Sequence, residues 1–449
     1  MWLSRCRLWR WLLACFIILL IANIWFVPWT KITKHGKVTN SYEQQLQATR
    51  KARSFQDIQR EKYDTIVHRN TSESNKKSIR SSADDFSKEF EINIKLGRWD
   101  SNQRFKYFDF VVIGDRFEEL SDMYSVSLAT QSSLERLYSL AEVSHHWTAA
   151  ISVSVFIVGE DFFLTEIYIS YLRQCFTEVR ERVTFHLAYS SEYPAASDYP
   201  SLVVNRTQNC SHPKQVLSEL VALRSPETVD WLNSYEYPQN HLRNHARKNC
   251  QTPYVFLTDV DIIPSTGMAD ALDIFLTQQN HTNLCAYVIP AYELHDSVTF
   301  PENKSEILQI IEKGLARPFR RMVYKNGHFP TNYEKWESDV KEEVHVCHVV
   351  TGCPKWYEPF YVALNTVPIY DERFIGYGFT RNTQVHEMLA AGYKFQVLSP
   401  VFACHWGFSI KSVSYTNARV KQLRTNTKKI KQFRNEISSR YPNTAKMIC

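Results

Sequence analysis

The sequence predicts an α/β fold with a mostly parallel sheet over residues 111–449 of the 449-residue chain. Short apolar runs rich in β-branched residues alternate there with longer amphipathic runs, which is typical of strands joined by helices. No internal repeat is visible, so a layered domain is expected rather than a solenoid. The net charge of +6 is mild and includes no lysine or arginine tract, which disfavours nucleic-acid binding.

Each predicted element rests on a local pattern. Residues 151–158 alternate and are rich in β-branched side chains, which predicts a strand. Ser132 precedes leucines and a valine spaced three residues apart, which predicts a capped helix. Gly392 closes a later helix. In chain order we expect a strand at 125–130, a helix from Ser132, a strand at 151–158, a helix at 163–175, a strand at 183–189, a helix at 240–248, a strand at 254–258, a helix at 267–278, a strand at 284–289, a helix at 384–391, a strand at 394–398 and a last strand ending before His405.

The most informative short motif is Asp259-Val260-Asp261, which follows the apolar run 254–258 and precedes Pro264. This pattern predicts a buried strand that delivers two carboxylates to a loop, with both side chains on one side because they stand two residues apart. Carboxylates so placed can hold one divalent cation and leave positions for phosphate oxygens, as at the nucleotide-sugar site of many glycosyltransferases. A plain turn after a core strand is the alternative.

The first thirty residues predict a membrane anchor. Residues 11–29 are almost entirely apolar over a length that can span a bilayer, and tryptophans flank them at both ends. Arg5, Arg7 and Arg10 precede the run and favour a cytoplasmic N-terminus. A cleaved signal peptide is the alternative for this segment. We therefore expect a cytoplasmic tail at 1–10, a signal-anchor helix at 11–29, a polar stem at 30–110 and a lumenal domain at 111–449.

Sequons and cysteines agree with a lumenal domain. Eight of the ten cysteines follow the apolar run, which allows up to four disulfides whose pairing the sequence leaves open. His345-x-Cys347-His348 with Cys353 imitates a zinc cluster, but disulfides are the expected state in an oxidising lumen. Asn-x-Ser/Thr sequons, the candidate N-glycosylation sites, occur at Asn70, Asn205, Asn209, Asn280 and Asn303.

A second group of motifs lies downstream. Gly376-Tyr377-Gly378-Phe379 is a glycine-bearing aromatic loop before the 384–391 helix, and His405 follows the last predicted strand. Ligands of α/β domains bind at the carboxyl ends of strands. His405 could therefore complete a metal site with Asp259 and Asp261, and this ligand set suits Mn²⁺.

With these motifs the sequence resembles the beta-1,4-glucuronyltransferases (GT49-type) and the glucuronyl-transferring domain of LARGE-type enzymes. The resemblance implies a GT-A (Rossmann-like) fold and a single-pass type II protein of the Golgi membrane. It also implies inverting transfer of glucuronic acid from UDP-glucuronate to a xylose-ended glycan, as in priming of the O-mannosyl glycan of dystroglycan. The segments that carry it are 128–130, 151–156, 240–247, 356–359, 370–374, 378–379 and 405–408.

The resemblance also implies roles for individual residues. Asp261 and His405 would bind Mn²⁺ directly, while Asp259 would bind it directly, through water, or contact ribose instead. A separate hypothesis comes from the residues themselves: Arg381 stands where many inverting enzymes of the implied fold carry an acid, and it could instead recognise the donor carboxylate. Arg243 and Arg247 lie one helical turn apart and could hold the uracil–ribose side, the phosphates or the glucuronate carboxylate, with a solvated helix face as the alternative. The residues expected to contact UDP-glucuronate are Arg243, Asn244, Arg247, Tyr377, Gly378 and Arg381.

The catalytic base is the least determined feature. Many inverting enzymes of the implied fold place acids directly after a Gly-aromatic-Gly loop, but here the loop is followed by Thr380-Arg381-Asn382. Glu387, the nearest acid in the following helix, is the predicted base. An ordinary helix glutamate is the alternative.

Two other functions are left open by the sequence. The same fold could transfer N-acetylglucosamine or another UDP-sugar, or the chain could be a non-catalytic, lectin-like membrane protein. The expected partners are a nucleotide sugar, a glycan or glycoprotein acceptor, the membrane and other Golgi glycosyltransferases, with no nucleic acid.

Overall fold

Strands and helices alternate along the chain, as the sequence predicts. The computed structural model describes residue 93 and residues 96–196, 210–279, 284–352, 356–410 and 416–442. The predicted anchor at 11–29 and the stem up to residue 92 lie outside the described residues. Among the helices that are described, none is long and apolar enough to cross a membrane.

The strands and helices have the following bounds. The strands are β1 (Arg98–Trp99), β2 (Phe105–Val112), β3 (Val126–Ser133), β4 (Ile151–Phe156), β5 (Val183–Ser190), β6 (Tyr254–Leu257), β7 (Ile263–Pro264), β8 (Cys285–Ile289), β9 (Ala291–Leu294), β10 (Ala316–Pro318), β11 (His345–Val349), β12 (Phe360–Leu364), β13 (Lys394–Ser399) and β14 (Ala403–Trp406). The helices are α1 (Phe117–Met123), α2 (Ser139–His146), α3 (Asp161–Cys175), α4 (Thr177–Arg182), α5 (Pro213–Val221), α6 (Pro226–Ser234), α7 (Gln239–Lys248), α8 (Met268–Thr277), α9 (Lys304–Glu312), α10 (Lys325–His328), α11 (Tyr333–Glu337), α12 (Asn382–Ala390) and α13 (Asn417–Arg440).

Ten strands form one large mixed sheet in the order β1-β2-β5-β4-β3-β6-β12-β8-β13-β11. The centre, β5-β4-β3-β6, is parallel, and so is the β8–β13 pair. The other neighbours are antiparallel. The expected mostly parallel sheet is therefore found at the centre, within a sheet that is mixed. Because β12 runs antiparallel to β6, it begins at the edge at which β6 ends.

Both faces of the large sheet are buried, which explains why its strands are almost continuously apolar. In β6, Tyr254 and Phe256 belong to one core cluster, whereas Val255 and Leu257 belong to another. Side chains of α3 and α8 pack in the first cluster, and side chains of α7 and α12 pack in the second. Each large apolar side chain buried in this way contributes about 1.5–3 kcal/mol. The arrangement is an α/β sandwich with helices on both faces.

A second, four-stranded sheet has the order β10-β9-β14-β7. The chain passes into it from the large sheet three times, from β6 to β7, from β8 to β9 and from β13 to β14. β14 pairs with β7 in a register that sets Cys404 opposite Ile263. This pairing brings His405 next to the loop that contains Asp261, although the two residues are far apart in the sequence.

The prediction that a helix begins at Ser132 is wrong. β3 continues to Ser133, which pairs with Phe156 of β4. A single 3-10 turn, Leu134–Arg136, follows, and α2 begins only at Ser139. The small polar residues at the end of β3 fit the buried sheet, so Ser132 extends the strand and does not cap a helix.

Six of the ten cysteines lie in the part of the chain that the structure describes. Among the described residues one disulfide joins Cys175 to Cys210, and Cys250, Cys285, Cys347 and Cys404 are free thiols. Cys353 and Cys449 lie outside the described residues.

The two histidines beside Cys347, which imitate part of a zinc cluster in the sequence, contact different residues. The imidazole of His345 pairs with Asp339 at 3.2 Å, whereas His348 Nε2 lies 3.0 Å from the carbonyl oxygen of Thr331. His348 Nδ1 also lies 3.2 Å from Cys347 Sγ, so one imidazole stays beside the thiol and the other is directed elsewhere. Cys347 is a free thiol, so the disulfide expected for it is not found.

Candidate active site

Asp259 and Asp261 follow β6, at the edge where the central parallel strands end. Their side chains are 23% and 27% exposed, so both carboxylates are half-buried in the loop that follows β6. The two side chains serve different neighbours. Asp259 contacts Arg243 on α7 and Arg381 just before α12. Asp261 faces His405 on β14 of the small sheet.

Two buried guanidinium groups converge on Asp259. Arg243 of α7 donates from Nη2 to Asp259 Oδ1 at 3.0 Å, and Arg381, directly before α12, donates to the same oxygen at 2.8 Å. Burial would raise the pKa of the Asp259 carboxyl, but the charges of both arginines hold this pKa well below its usual range. The carboxylate is therefore ionised and fixes two cations at the strand end.

Both arginines retain donors that the protein does not use. Arg243 Nε and Arg381 Nη1 are buried and lack a hydrogen-bond partner in the described part of the chain. A buried N–H group without a partner is costly, so such groups commonly bond to a ligand. The pair of arginines thus offers unused donors to an anion beside Asp259.

Asp261 faces His405 across the junction of the two sheets. His405 Nε2 lies 3.6 Å from Asp261 Oδ2, and Arg136 Nη1 donates to that same oxygen at 2.9 Å. Burial would raise the pKa of Asp261, but His405 and Arg136 lower it below its usual value. A carboxylate and an imidazole at this separation are a donor set that suits Mn²⁺.

The three predicted metal ligands do not form one tight cluster. Asp259 is turned towards the arginines and does not join Asp261 and His405 within metal-ligand distance. Within the described residues, the group whose ligand atoms all lie within 4.8 Å of one another consists of Asp109, His186 and His245. The sequence pattern did not single out this group.

The imidazoles of that second group are already engaged by the protein. His245 Nε2 lies 2.8 Å from Asp109 Oδ1, and Ser154 Oγ donates to His245 Nδ1 at 2.8 Å. The backbone N–H of Phe110 donates to His186 Nδ1, whose ring is wholly buried.

The remaining nitrogen, His186 Nε2, lies 3.0 Å from Ser152 Oγ, so every ring nitrogen of the pair has a partner. Burial lowers the pKa of His186 to about 3 and keeps the ring neutral. The group is a possible metal site by composition, but its complete hydrogen bonding makes it a polar network of the core.

Glu358 and Arg320 lie near Asp259 and were not predicted. Glu358 stands just before β12, and extending the β6–β12 register beyond the Tyr361–Leu257 pair would set Glu358 opposite Val260. Burial raises the pKa of the Glu358 carboxyl, and the charges of Arg320, Arg381 and Arg243 oppose that rise. An acid between Tyr357 and Pro359, directly before an apolar run, is the signal that could have identified it.

Two of the predicted donor contacts instead hold the chain that follows β12. Arg247 is buried, and its guanidinium donates to the carbonyl oxygens of Pro368 and Val367 at 3.0 and 2.9 Å. Asn244 donates to the carbonyl oxygen of Tyr370 at 2.8 Å and accepts from its N–H at 2.9 Å. Three α7 residues were predicted to bind the donor. Arg243 contacts Asp259, whereas Asn244 and Arg247 bond the backbone after β12.

Glu387, the predicted base, is directed away from the aspartates. It lies on α12, and its carboxylate pairs with Arg440 and accepts a hydrogen bond from Tyr441 Oη at 3.3 Å. Both partners belong to the C-terminal part of the chain, which packs on α12. The structure therefore does not bring Glu387 to the site.

Tyr377 and Gly378 lie in a loop that the C-terminal helix α13 holds. Asn426 Nδ2 lies within hydrogen-bonding distance of the carbonyl oxygens of Ile375, Tyr377 and Gly378, at 2.9, 3.2 and 3.0 Å. The same loop leads directly to Arg381. It therefore positions an arginine of the site, whether or not Tyr377 and Gly378 contact a donor.

The fold and this edge of the sheet together define the class of protein. A central parallel strand that ends in two carboxylates, surrounded by arginines and a histidine, is the arrangement of a glycosyltransferase. A family model described as "Glycosyl-transferase for dystroglycan" matches residues 125–442. The chain belongs to this glycosyltransferase family, and it is an enzyme.

Curated relatives agree with the family match. Beta-1,4-glucuronyltransferase 1 of Mus musculus is 33% identical over 341 residues, which cover 75% of this chain and 80% of that protein. The Homo sapiens protein of the same name is 32% identical over the same shares. Xylosyl- and glucuronyltransferase LARGE1 of Mus musculus is 28% identical over 337 residues, 72% of this chain and 37% of that protein. The resemblance predicted from the sequence is confirmed.

Among solved structures, S. aureus TarS (residues 1–349) in complex with UDP aligns with 63% of this chain and 60% of its own. The TM-score is 0.29 and the identity is 9%. This likeness is too weak to bear on the fold.

Proposed function

We propose that this enzyme transfers glucuronic acid from UDP-glucuronate to a xylose-ended glycan, with inversion at the anomeric carbon. The observation that carries the proposal is the pair of arginines on Asp259, each with a buried donor that the protein leaves unused. UDP-glucuronate carries negative charge on both its diphosphate and its sugar carboxylate, so it requires more than one cationic contact. The names of the relatives support glucuronate as the transferred sugar.

The metal proposal rests on Asp261 and His405. Their carboxylate and imidazole fit Mn²⁺, and we propose them as its direct protein ligands. When bound, the metal would neutralise charge on the diphosphate of the departing UDP. Asp259, which already holds two guanidinium groups, is proposed to reach the metal through water or to contact ribose.

Arg381 is the proposed contact for the glucuronate carboxylate. Its guanidinium packs over the Phe360 ring at 4.6 Å and uses Nη2 on Asp259, which leaves the buried Nη1 for the ligand. Arginine presents parallel N–H groups that match a carboxylate. A neutral sugar would leave this donor without a partner, so the contact would also exclude neutral UDP-sugars.

The cellular setting is proposed from the sequence. We infer a Golgi type II membrane protein with a cytoplasmic tail at 1–10, an anchor at 11–29, a stem at 30–110 and a lumenal catalytic domain at 111–449. Priming of an O-mannosyl glycan is the proposed pathway step. Transfer of another UDP-sugar by the same site is the competing function.

A donor screen tests the proposed reaction. The full-length protein in detergent would receive UDP-glucuronate, UDP-xylose, UDP-N-acetylglucosamine or UDP-galactose with a β-xyloside acceptor, in Mn²⁺ or in EDTA. We expect transfer from UDP-glucuronate alone, with Mn²⁺ and not with EDTA. Transfer from a different donor would refute the substrate assignment, and transfer unchanged by EDTA would refute the metal assignment.

A further inference from the structure

A carboxylate beside the strand-end motif is left unexplained by the contacts described so far. Glu358 stands two residues before β12, at the edge where β6 ends, and extending the β6–β12 register beyond the Tyr361–Leu257 pair would set it opposite Val260. Its backbone N–H donates to the carbonyl oxygen of Gly327 at 2.7 Å, which fixes its position. The side chain is half-buried beside Phe360, on whose ring Arg381 packs. Glu358 therefore shares its surroundings with the arginines of the site.

The other acids near this edge are engaged elsewhere. Glu387 pairs with Arg440, and Glu372 accepts a hydrogen bond from Asn244 at 2.9 Å. Two further acids make ion pairs of 2.6 and 2.7 Å, in which Asp371 binds Arg373 and Glu293 binds Arg317.

The carboxylate of Glu358, in contrast, has no hydrogen-bond or ion-pair partner in the part of the chain that the structure describes. Glu358 is thus a half-buried acid beside the arginines of the site whose carboxylate the protein does not engage. Such a carboxylate is available to take the proton of an acceptor hydroxyl.

We propose that Glu358 is the general base of the transfer, an inference that rests on the proposed function. In this step the O–H bond of the acceptor hydroxyl breaks and its proton passes to a carboxylate oxygen of Glu358. The hydroxyl oxygen forms a bond to the anomeric carbon of the donor. The bond from that carbon to the diphosphate oxygen breaks, and its electron pair leaves with UDP.

The electrostatic surroundings of Glu358 suit this role. Arg320, Arg381 and Arg243 surround it with positive charge, and Asp259 is the nearby acid that acts on it. The arginines would keep the carboxylate ionised before the step. Burial disfavours its charge and raises its pKa, which makes it a stronger proton acceptor than an exposed glutamate.

Three variants of the full-length protein test the assignment. Glu358→Gln removes the basic oxygen at almost constant shape, and Glu358→Asp keeps a carboxylate at a shorter reach. Glu337→Gln is the matched control. Glu337, at the end of α11, is also half-buried, and burial raises its pKa. Unlike Glu358, it accepts a hydrogen bond, from Tyr292 Oη at 3.1 Å. Glucuronate transfer to the β-xyloside would be measured together with UDP binding in Mn²⁺ by calorimetry.

We expect Glu358→Gln to lower kcat by about 10²–10⁴-fold, the range for loss of a general base, while the Kd of UDP changes less than threefold. Glu358→Asp should recover part of the lost rate, and Glu337→Gln should keep the wild-type rate. A Glu358→Gln enzyme with more than a tenth of wild-type kcat would overturn the assignment. So would parallel losses of kcat and UDP binding, because they would indicate a structural role.

The same measurements separate this inference from the proposed function. An active wild-type enzyme with an active Glu358→Gln variant would refute only the base. A wild-type protein that binds UDP but transfers no glucuronate would refute the proposed function and the base together.

Discussion

At the scale of single residues, spacing alone does not determine what two like side chains do. Arg243 and Arg247 lie one turn apart on α7, and the sequence predicts that both contact the donor. In the structure Arg243 reaches Asp259, whereas Arg247 is buried against the carbonyl oxygens of residues 367 and 368. The difference follows from which side of the helix faces the strand end, which one sequence does not reveal.

Arg247 is therefore expected to affect stability more than donor binding. Replacing it with alanine leaves the buried carbonyl oxygens of Val367 and Pro368 without their charged donor, which should cost roughly 1.5–3 kcal/mol of unfolding free energy. Urea unfolding measures this loss, and calorimetry of UDP binding should show a Kd close to that of the wild type. A stable variant that binds UDP tenfold more weakly would place Arg247 in the donor site instead.

Arg381 is expected to behave in the opposite way. Arg381→Ala should reduce kcat/KM for UDP-glucuronate by roughly tenfold to 150-fold, since one charge-assisted hydrogen bond is worth roughly 1.5–3 kcal/mol. The Kd of UDP should change much less, because UDP lacks the sugar carboxylate. Arg373→Ala, which removes an exposed arginine paired with Asp371 and Glu436, is the control. Equal losses for UDP-glucuronate and UDP would show that Arg381 binds the diphosphate.

At the scale of elements, α13 matters because it holds the loop that carries Arg381. Gly376 and Gly378 have φ angles of 72° and 93°, a left-handed conformation that favours glycine. A Cβ atom at Gly378 would lie 2.6 Å from Leu423 Cδ1, and one at Gly376 would lie 2.8 Å from Gln422 Cδ. Glycine is therefore required at both positions for two reasons, the left-handed backbone and the lack of space for a Cβ atom against α13.

Asn426 is the residue through which α13 should influence the site. Asn426→Ala removes the buried amide that bonds the carbonyl oxygens of the 375–378 loop, so the loop and Arg381 should become less ordered. We expect KM for UDP-glucuronate to rise several-fold and unfolding free energy to fall by about 1–3 kcal/mol. Steady-state kinetics and urea unfolding measure the two effects. Thr427→Ala, on the exposed side of the same helix, is the control.

A loss of stability without any change in KM would contradict this view of α13. It would mean that the helix supports the domain but does not position Arg381. Unchanged stability together with a raised KM would still support the positioning role, since the loop could loosen locally while the core stays folded.

At the scale of the whole molecule, the sequence predicted the central strands and the helices between them because each carries a strong local pattern. It could not show that β12 runs antiparallel between β6 and β8, since strand order depends on contacts between distant segments. The proximity of His405 to Asp261 was predicted from the place of His405 after an apolar strand and from the family resemblance, while Glu358 was missed. Helix α13 was also missed, because its 24 residues are mostly polar and few of them are buried.

Strand β5 and helix α7 each bury a histidine, and this feature makes the stability of the whole domain depend on pH. Burial lowers the pKa of His186 to about 3 and that of His241 to about 4, from an ordinary value of 6.5. Both rings are thus neutral in the folded protein, whereas the unfolded chain binds protons below about pH 6.5. The stability that these neutral rings provide is complete above pH 6.5 and is lost as the pH falls towards 3–4.

We therefore expect the unfolding free energy to decrease between pH 6.5 and pH 4.5, by at most about 1.4 kcal/mol per pH unit for each buried histidine. Urea unfolding at a series of pH values measures this slope. His186→Asn should make the slope shallower, at the cost of lower stability at pH 7.5, because asparagine does not titrate but fits the network imperfectly. Thr427→Ala, which removes no titratable group, should leave the slope unchanged. A slope that is the same in both variants would show that His186 is not a source of the pH dependence.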